Sequence, residues 1–516
     1  MDHTAQNITS FFWLLLIAFL VTLIARRFKA PYTLALVVTG VGIGISRLLP
    51  HVHLDPTLLF TVFLPPLLFE SALNLHVDKL RQEWKPIALY TFAGTLLSTF
   101  IVGGMMVWIL RLPFAVALVF GGLISATDPI SVLAIFKKLG AGKRLTLIIE
   151  AESLFNDGVA AVLFTLMAGL AIGGHVSVTG SLWEFTRLVG GGILLGVAIG
   201  ALASRVHDAL DDHLIEILLT SLVAFGSYIC AEALHLSGVV AVVAAGLFIG
   251  NYGMPKTMSP GTRLAVGAFW EYAAFVVNSM VFLLIGIEVT FVDWTHRTGM
   301  VCLTVLIVLV GRAAIYPLSL PVNWLKGNVP LAWQHILFWG GLRGALSMAL
   351  ALGLKPDFPH RDTLIAATFG VVLFSLLVQG TTVGPLLKRL SLTKGAAENP
   401  REQRRLASEI LACEAALAEL ERLRHTEAHP NWAVELLTRD YRTRLNTLEE
   451  ALAELEPDHP VITEQQSREA RRLALTAEKS AYQEAERKGW LDAEDWKELT
   501  RRIDAELIAL KGQQKE

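Results

Sequence analysis

Cysteine is nearly absent: Cys230, Cys302 and Cys413 are the only three in 516 residues, too few and too scattered for a disulfide framework or a thiolate metal cage. Charge is just as sparse over most of the chain. Residues 1–390 carry 24 Lys/Arg and 20 Asp/Glu, about 11% of positions, whereas residues 391–516 carry 20 and 26, about 37%. With 53% hydrophobic residues overall, so low a charge density excludes an ordinary soluble enzyme for the first part and marks it as membrane-embedded. The second part has the composition of a water-soluble domain. Outside the membrane-flanking loops there is no basic cluster with interleaved aromatics, so no nucleic-acid partner is expected. Nor is there a nucleophile with a matched base, a His-Glu-x-x-His helix or a phosphate loop, which argues against an enzyme and against a resident cofactor.

What is present is a succession of apolar runs. A spanning helix needs roughly 20 mostly apolar residues, because the bilayer offers no water to an open backbone. Thirteen runs qualify, near 10–26, 31–49, 56–74, 86–110, 113–136, 145–173, 184–204, 213–233, 237–250, 264–290, 298–323, 330–353 and 362–387, the ninth being short. Alternate loops hold fourteen Lys/Arg against five, and cations are retained in the cytoplasm, so the N-terminus is expected outside and the charged tail inside. The expected protein is therefore a multi-pass inner or plasma membrane protein. Two echoes suggest an internal repeat. Gly121-Gly122-Leu123 matches Gly340-Gly341-Leu342 at an offset of 219, and the segment from Phe63 to Glu70 matches that from Val281 to Glu288 at 218. A shift of six or seven spans with interrupted helices at matching places is the pattern of an inverted-repeat transporter.

Ionisable side chains inside a membrane cost at least ~2.5–3.5 kcal/mol each and are functional candidates by default. Here they are Glu70, Asp128, Glu150, Glu152, Asp157, Glu232, Glu271, Glu288, Arg312 and Arg343. Pro129 predicts a helix break at Thr127-Asp128, whose freed carbonyls, with the Thr127 hydroxyl, are hard oxygen ligands suited to Na⁺. In the next run Ser153 and Asp157 share one helix face, and Glu152 and Asn156 share the neighbouring one. Arg343 stays protonated and needs a permanent anionic partner, for which Glu152 is the expected choice. Glu70 follows Pro65-Pro66 and can approach the cavity from another side. Arg312 could pair with Asp128 or another acid, and Glu232, Glu271 and Glu288 are expected toward helix ends, solvated at the interface. Gly192, Gly196 and Gly200 permit close helix approach, expected within the protomer rather than between protomers.

These residues resemble the monovalent cation/proton antiporter superfamily, in the branch of sodium/proton exchangers marked by an Asn-Asp pair. The resemblance rests on Thr127-Asp128-Pro129, on Glu152-Ser153-Leu154-Phe155-Asn156-Asp157-Gly158 and on Gly340-Gly341-Leu342-Arg343-Gly344, and covers the membrane part. It implies an all-α polytopic membrane protein of about thirteen transmembrane helices in two inverted repeats with broken crossing helices, and a homodimer. It also implies that Asp157 holds either the cation or protons, that Ser153, Thr127 and Glu70 complete a Na⁺ shell, and that Asp128 supports it or compensates the charge of the crossing helices. Asn156 would brace the unwound segments, and Glu152 and Arg343 would form a structural ion pair. An Asn at 156 is similar to exchangers that trade one cation for one proton. The expected activity is thus Na⁺/H⁺ antiport serving pH homeostasis, with Li⁺ as a further cargo. K⁺/H⁺ antiport is the alternative within the class, and a cation channel the alternative outside it.

The expected domains are a transmembrane antiporter domain, 1–390, and a cytoplasmic helical domain, 391–516. In the latter Leu406, Ile410, Cys413, Leu417 and Leu420 form an apolar stripe, and Val434, Leu437, Tyr441, Leu448, Leu452 and Leu455 a second that ends at Pro457. Asp492 is placed to cap a third helix.

Overall fold

The structure is a computed structural model that describes residues 3–27, 31–47, 56–173, 178–207, 212–292, 294, 297–325, 327–392, 400–424 and 431–454, with 498, 500, 501 and 503. The chain forms two compact units, Met1–Lys394 and Gly395–Glu516. Among the described residues every regular element is helical.

Among the described residues the first unit holds ten helical stretches long and apolar enough to cross a membrane, two shorter apolar helices, Phe11–Ala25 and Tyr32–Ser46, and a stretch split into Leu331–Trp339 and Ala345–Leu352. Each of the thirteen apolar runs is thereby matched by helix. The ninth, which looks short in sequence, extends to Gly238–Lys256 because a π-helical turn at Ile249–Gly253 carries the helix past Gly250 and Gly253. Asn251 in that turn ties it to the backbone just past the third span. Its Nδ2 donates to the Leu75 and Leu247 carbonyls and its Oδ1 accepts from Val77 N.

Two spans are interrupted, and they are the ones carrying the Gly-Gly-Leu echo. The fifth runs as Phe114–Ser125, an unwound stretch, then Ile130–Leu139. The twelfth unwinds between Trp339 and Ala345. The breaks lie seven spans apart, and an odd shift turns the second copy upside down, so equivalent breaks meet from opposite sides. They touch directly: Asp128 N donates to the Leu342 carbonyl at 2.8 Å.

Close approach elsewhere depends on glycine. The second span, Tyr32–Ser46, lies against the tenth, Gly261–Val289, with Gly40 and Gly286 face to face. A Cβ on either would overlap backbone of the other helix. Gly286→Ala is expected to cost about 1–3 kcal/mol, since backbone cannot yield as a side chain can; a thermal melt in detergent matching the native one would contradict this. Gly192, Gly196 and Gly200 on the seventh span, Thr179–Val206, meet Ser237, Val240, Ala241, Ala244 and Phe248 of the ninth-span region. As expected, they serve packing within the protomer.

In the second unit Pro400–Arg424 and Asn431–Glu454 pack as a helical pair. Leu406, Cys413 and Leu420 are buried, confirming the first stripe, whereas Leu437 of the second stripe is exposed. Arg405 Nε donates to Glu409 at 3.0 Å and Arg444 of the other helix stands 3.7 Å from it. The hydrogen bond from Arg405, with the two cationic charges, holds the Glu409 carboxyl below the usual carboxylate range. The proposed cap at Asp492 lies outside the described residues.

Candidate ion-binding site

A cavity of about 430 Å³ opens beside the two breaks. Thr127, Asp128, Pro129 and Ile130 of the fifth span line it, with Glu150, Leu154 and Asp157 of the sixth, Lys143–Ala171. Glu70 and Ser71 of the third span, Pro56–Asn74, line it too, as do Glu271 and Asn278 of the tenth and Gly344 to Ser347 of the twelfth. Four of the expected residues, Asp157, Thr127, Asp128 and Glu70, therefore face one space.

Behind the cavity wall a hydrogen-bonded brace fixes the first break. Thr127 Oγ1 meets Ser153 Oγ at 3.0 Å and accepts from Asn156 Nδ2 at 2.6 Å, while Asn156 Oδ1 accepts from Thr127 N at 3.2 Å. The amide thus does what a helix would have done for the Thr127 backbone. Ser153, Asn156 and Glu152 are all buried. Ser153 is not a cavity-lining residue; it reaches the site through Thr127.

The breaks create half-helix ends, and each is matched by charge. Asp128 Oδ1 accepts from Ile130 N at 3.0 Å, capping the N-terminus of Ile130–Leu139. A Cβ on Gly344 would overlap the Asp128 side chain, so the same carboxylate also sits against the start of Ala345–Leu352. Two partial positive ends thereby share one acid. At the opposite pole, Arg343 Nη1 donates to the carbonyls of Ser125 and Ala126 at 2.9 and 3.1 Å. These are the carbonyls that the break frees at the C-terminus of Phe114–Ser125. Arg343 N in turn donates to Ser375 Oγ, in a π-helical turn of the thirteenth span, Arg361–Arg389.

The expected Glu152–Arg343 ion pair is therefore corrected. Glu152 pairs with Arg312, Nη1 to Oε1 at 2.9 Å and Nη2 to Oε2 at 3.4 Å, with side chains only 3% and 12% exposed. Arg312 also donates to the Leu337 carbonyl through Nε and Nη2, near the end of Leu331–Trp339, over Gly341, where a Cβ would overlap its guanidinium. Each break thus has its own arginine on freed carbonyls, and only one of the two arginines carries the salt bridge. Arg312 accordingly does not take Asp128 as its partner.

Glu70 lines the cavity, but its Oε1 accepts from Asn74 Nδ2 at 2.8 Å, and it lies within Coulombic reach of Glu150 and Glu271. Asp157 has Asp128, Glu152 and Arg343 as its charged neighbours. Glu271 corrects a second expectation: it stands well inside its helix, on the cavity wall. Glu232 and Glu288 do lie in terminal turns. Ser347 was missed by sequence reasoning. It lines the cavity and reaches the Ala126 carbonyl, and a hydroxyl in an apolar run four residues after Arg343 was the available signal.

A bundle of thirteen spans whose two broken helices cross beside a carboxylate-lined cavity defines a polytopic α-helical transporter. The transmembrane sodium/hydrogen exchanger family model matches residues 15–389. The chain is 37% identical over 519 residues to the Na⁺/H⁺ antiporter NhaG of Bacillus atrophaeus, covering 97% of each. It is 41% identical over 406 residues to the Na⁺/H⁺ antiporter ApNhaP of Aphanothece halophytica, covering 78% of this chain and 76% of that one. Its fold is similar to the sodium proton antiporter MjNhaP1 of Methanocaldococcus jannaschii, with a TM-score of 0.64 at 19% identity over 76% of this chain and 100% of that one. The chain belongs to the transmembrane sodium/hydrogen exchanger family.

Proposed function

We propose that this protein exchanges Na⁺ for H⁺ across the membrane, electroneutrally and one for one, with Asp157 as the carboxylate for which the two ions compete. The observation that carries this reading is that Asp157, Thr127 and Asp128 line one cavity at the crossing of the breaks. One carboxylate cannot hold Na⁺ and a proton together, so if only the loaded carrier reorients, each flux is tied to the other. Asp128 is neutralised by the two half-helix N-termini it faces, which leaves Asp157 as the ion-exchanging group. Asn156 is uncharged and occupied by the Thr127 brace, consistent with a single transported charge. Thr127 supplies oxygen to the cation, Ser153 holds Thr127 in place, and Glu70 joins Glu150 and Glu271 as an acidic vestibule that concentrates cations.

The loop-cation bias supports an N-terminus outside and a cytoplasmic location for the helical unit beyond residue 390, in a cell or inner membrane. Glu150 precedes Asp157 by about 10 Å along the helix, toward the basic start of that span, and Lys137 lines the same flank. Both observations support a cavity that opens on the cytoplasmic side, that is, an inward-open conformation. The family's homodimer is adopted as the working assembly.

Proteoliposomes with an internal pH dye test the function. Pulses of Na⁺ and Li⁺ should move protons equally with and without a voltage clamp. A response to K⁺ alone would favour the K⁺/H⁺ reading, and a voltage-driven cation current without proton movement would favour a channel.

A further inference from the structure

A second cavity lies on the flank of the eleventh, twelfth and thirteenth spans and shares no residue with the first. It is an open groove of about 420 Å³, lined among others by Tyr316, His335, Phe338, Trp339, Thr382 and Arg389. The eleventh span is Thr298–Trp324, so the groove lies beside its last turns, the first turns of the twelfth and the last turns of the thirteenth. That places it at one membrane interface.

Its polarity is graded along the membrane normal. Arg389 ends the thirteenth span and His335 stands four residues into Leu331–Trp339, about 6 Å below its start at 1.5 Å per residue. Both are at headgroup depth. Phe338, Trp339 and Thr382 lie seven or eight residues in, about 10–12 Å, at the level of the upper acyl chains. Their polar atoms are already used: Trp339 Nε1 donates to Thr382 Oγ1 at 2.7 Å, leaving ring faces toward the groove. Tyr316 Oη lies 2.8 Å from His335 Nδ1. With the tyrosine donating, the imidazole proton sits on Nε2. No acidic residue lines the groove, and Arg389 has no ion pair among the described residues.

We propose that this groove binds an anionic phospholipid, Arg389 holding the phosphate with His335 beside it, and Phe338 and Trp339 packing the glycerol and upper acyl chain. A planar guanidinium matches a phosphodiester, and an aromatic belt beneath basic residues is how membrane proteins receive such lipids. The bound lipid braces the first half of the twelfth span, the half that leads into the second break.

The test is thermal stability and retained lipid on native mass spectra for the full chain in detergent, with phosphatidylglycerol, phosphatidylcholine or glycerol phosphate added. Phosphatidylglycerol should stabilise the native protein and remain bound, while the other two should not. Arg389→Gln should weaken the phosphatidylglycerol response about tenfold, the effect of one charge-assisted hydrogen-bonding partner, and Arg389→Lys should restore part of it. Leu386 also lines the groove; Leu386→Trp, which fills it without altering charge, should abolish retention and decides the matter if the Arg389 variants misfold. Equal stabilisation by phosphatidylcholine or by glycerol phosphate would overturn the proposal, as would undiminished retention in Leu386→Trp.

Discussion

Asp157→Asn should reduce Na⁺-driven proton flux to the level of empty liposomes while leaving the protein folded. The asparagine is close in shape and keeps an oxygen toward the cavity, so packing around the sixth span is undisturbed. What disappears is the carboxylate for which, in the proposed mechanism, the proton and the cation compete. Asp157 faces the cavity with Thr127 and Asp128, but Asp128 has its carboxylate occupied as the cap of Ile130–Leu139 and cannot substitute. Flux in reconstituted vesicles, with a melting curve in parallel, measures both halves of this expectation. Exchange persisting in a folded Asp157→Asn protein would remove Asp157 from the mechanism.

The second large effect is on stability. Removing either member of the Glu152–Arg312 pair should cost about 3–5 kcal/mol, because it strands a charge in a buried site. Arg312→Met loses more than Coulomb attraction, since the Leu337 carbonyl loses its donor at the helix end beside the second break. Glu152→Gln keeps shape and strands the guanidinium. The double variant Glu152→Gln/Arg312→Met should be more stable than the sum of the single costs implies, as both charges leave together. Denaturation in detergent reads these values. Single variants as stable as the native protein would show that the pair is dispensable.

The spans were legible in sequence because a bilayer imposes one length on every crossing and penalises every stray charge. The break at Thr127-Asp128 was legible for an equally local reason, Pro129. Partner choice was not. Arg343 requires acceptors, yet the ones it uses, the carbonyls of Ser125 and Ala126, exist only because the fifth span unwinds next to it. No spacing rule assigns Glu152 to Arg312 over Arg343, since the two arginines lie on separate spans that both reach the crossing. Glu271 was misread for want of register, because the start of its apolar run was set too late and a mid-helix position looked terminal. Ser153 and Asn156, one turn from Asp157 and Glu152 on the same helix, could be placed on their faces from the 3.6-residue repeat alone, but their contact with Thr127 joins two spans and lies beyond what spacing within one helix can give.

Competition at one carboxylate is tested most directly by counting protons. Na⁺ added to the purified protein in weakly buffered detergent should release a proton for each cation bound, at a pH where Asp157 is protonated in the cation-free state. The apparent affinity for Na⁺ should then fall about tenfold for each unit of acidification below that point, as a linked equilibrium requires. Asp157→Asn should release none. Saturable Na⁺ binding in the native protein with no proton released at any pH would contradict exchange by competition.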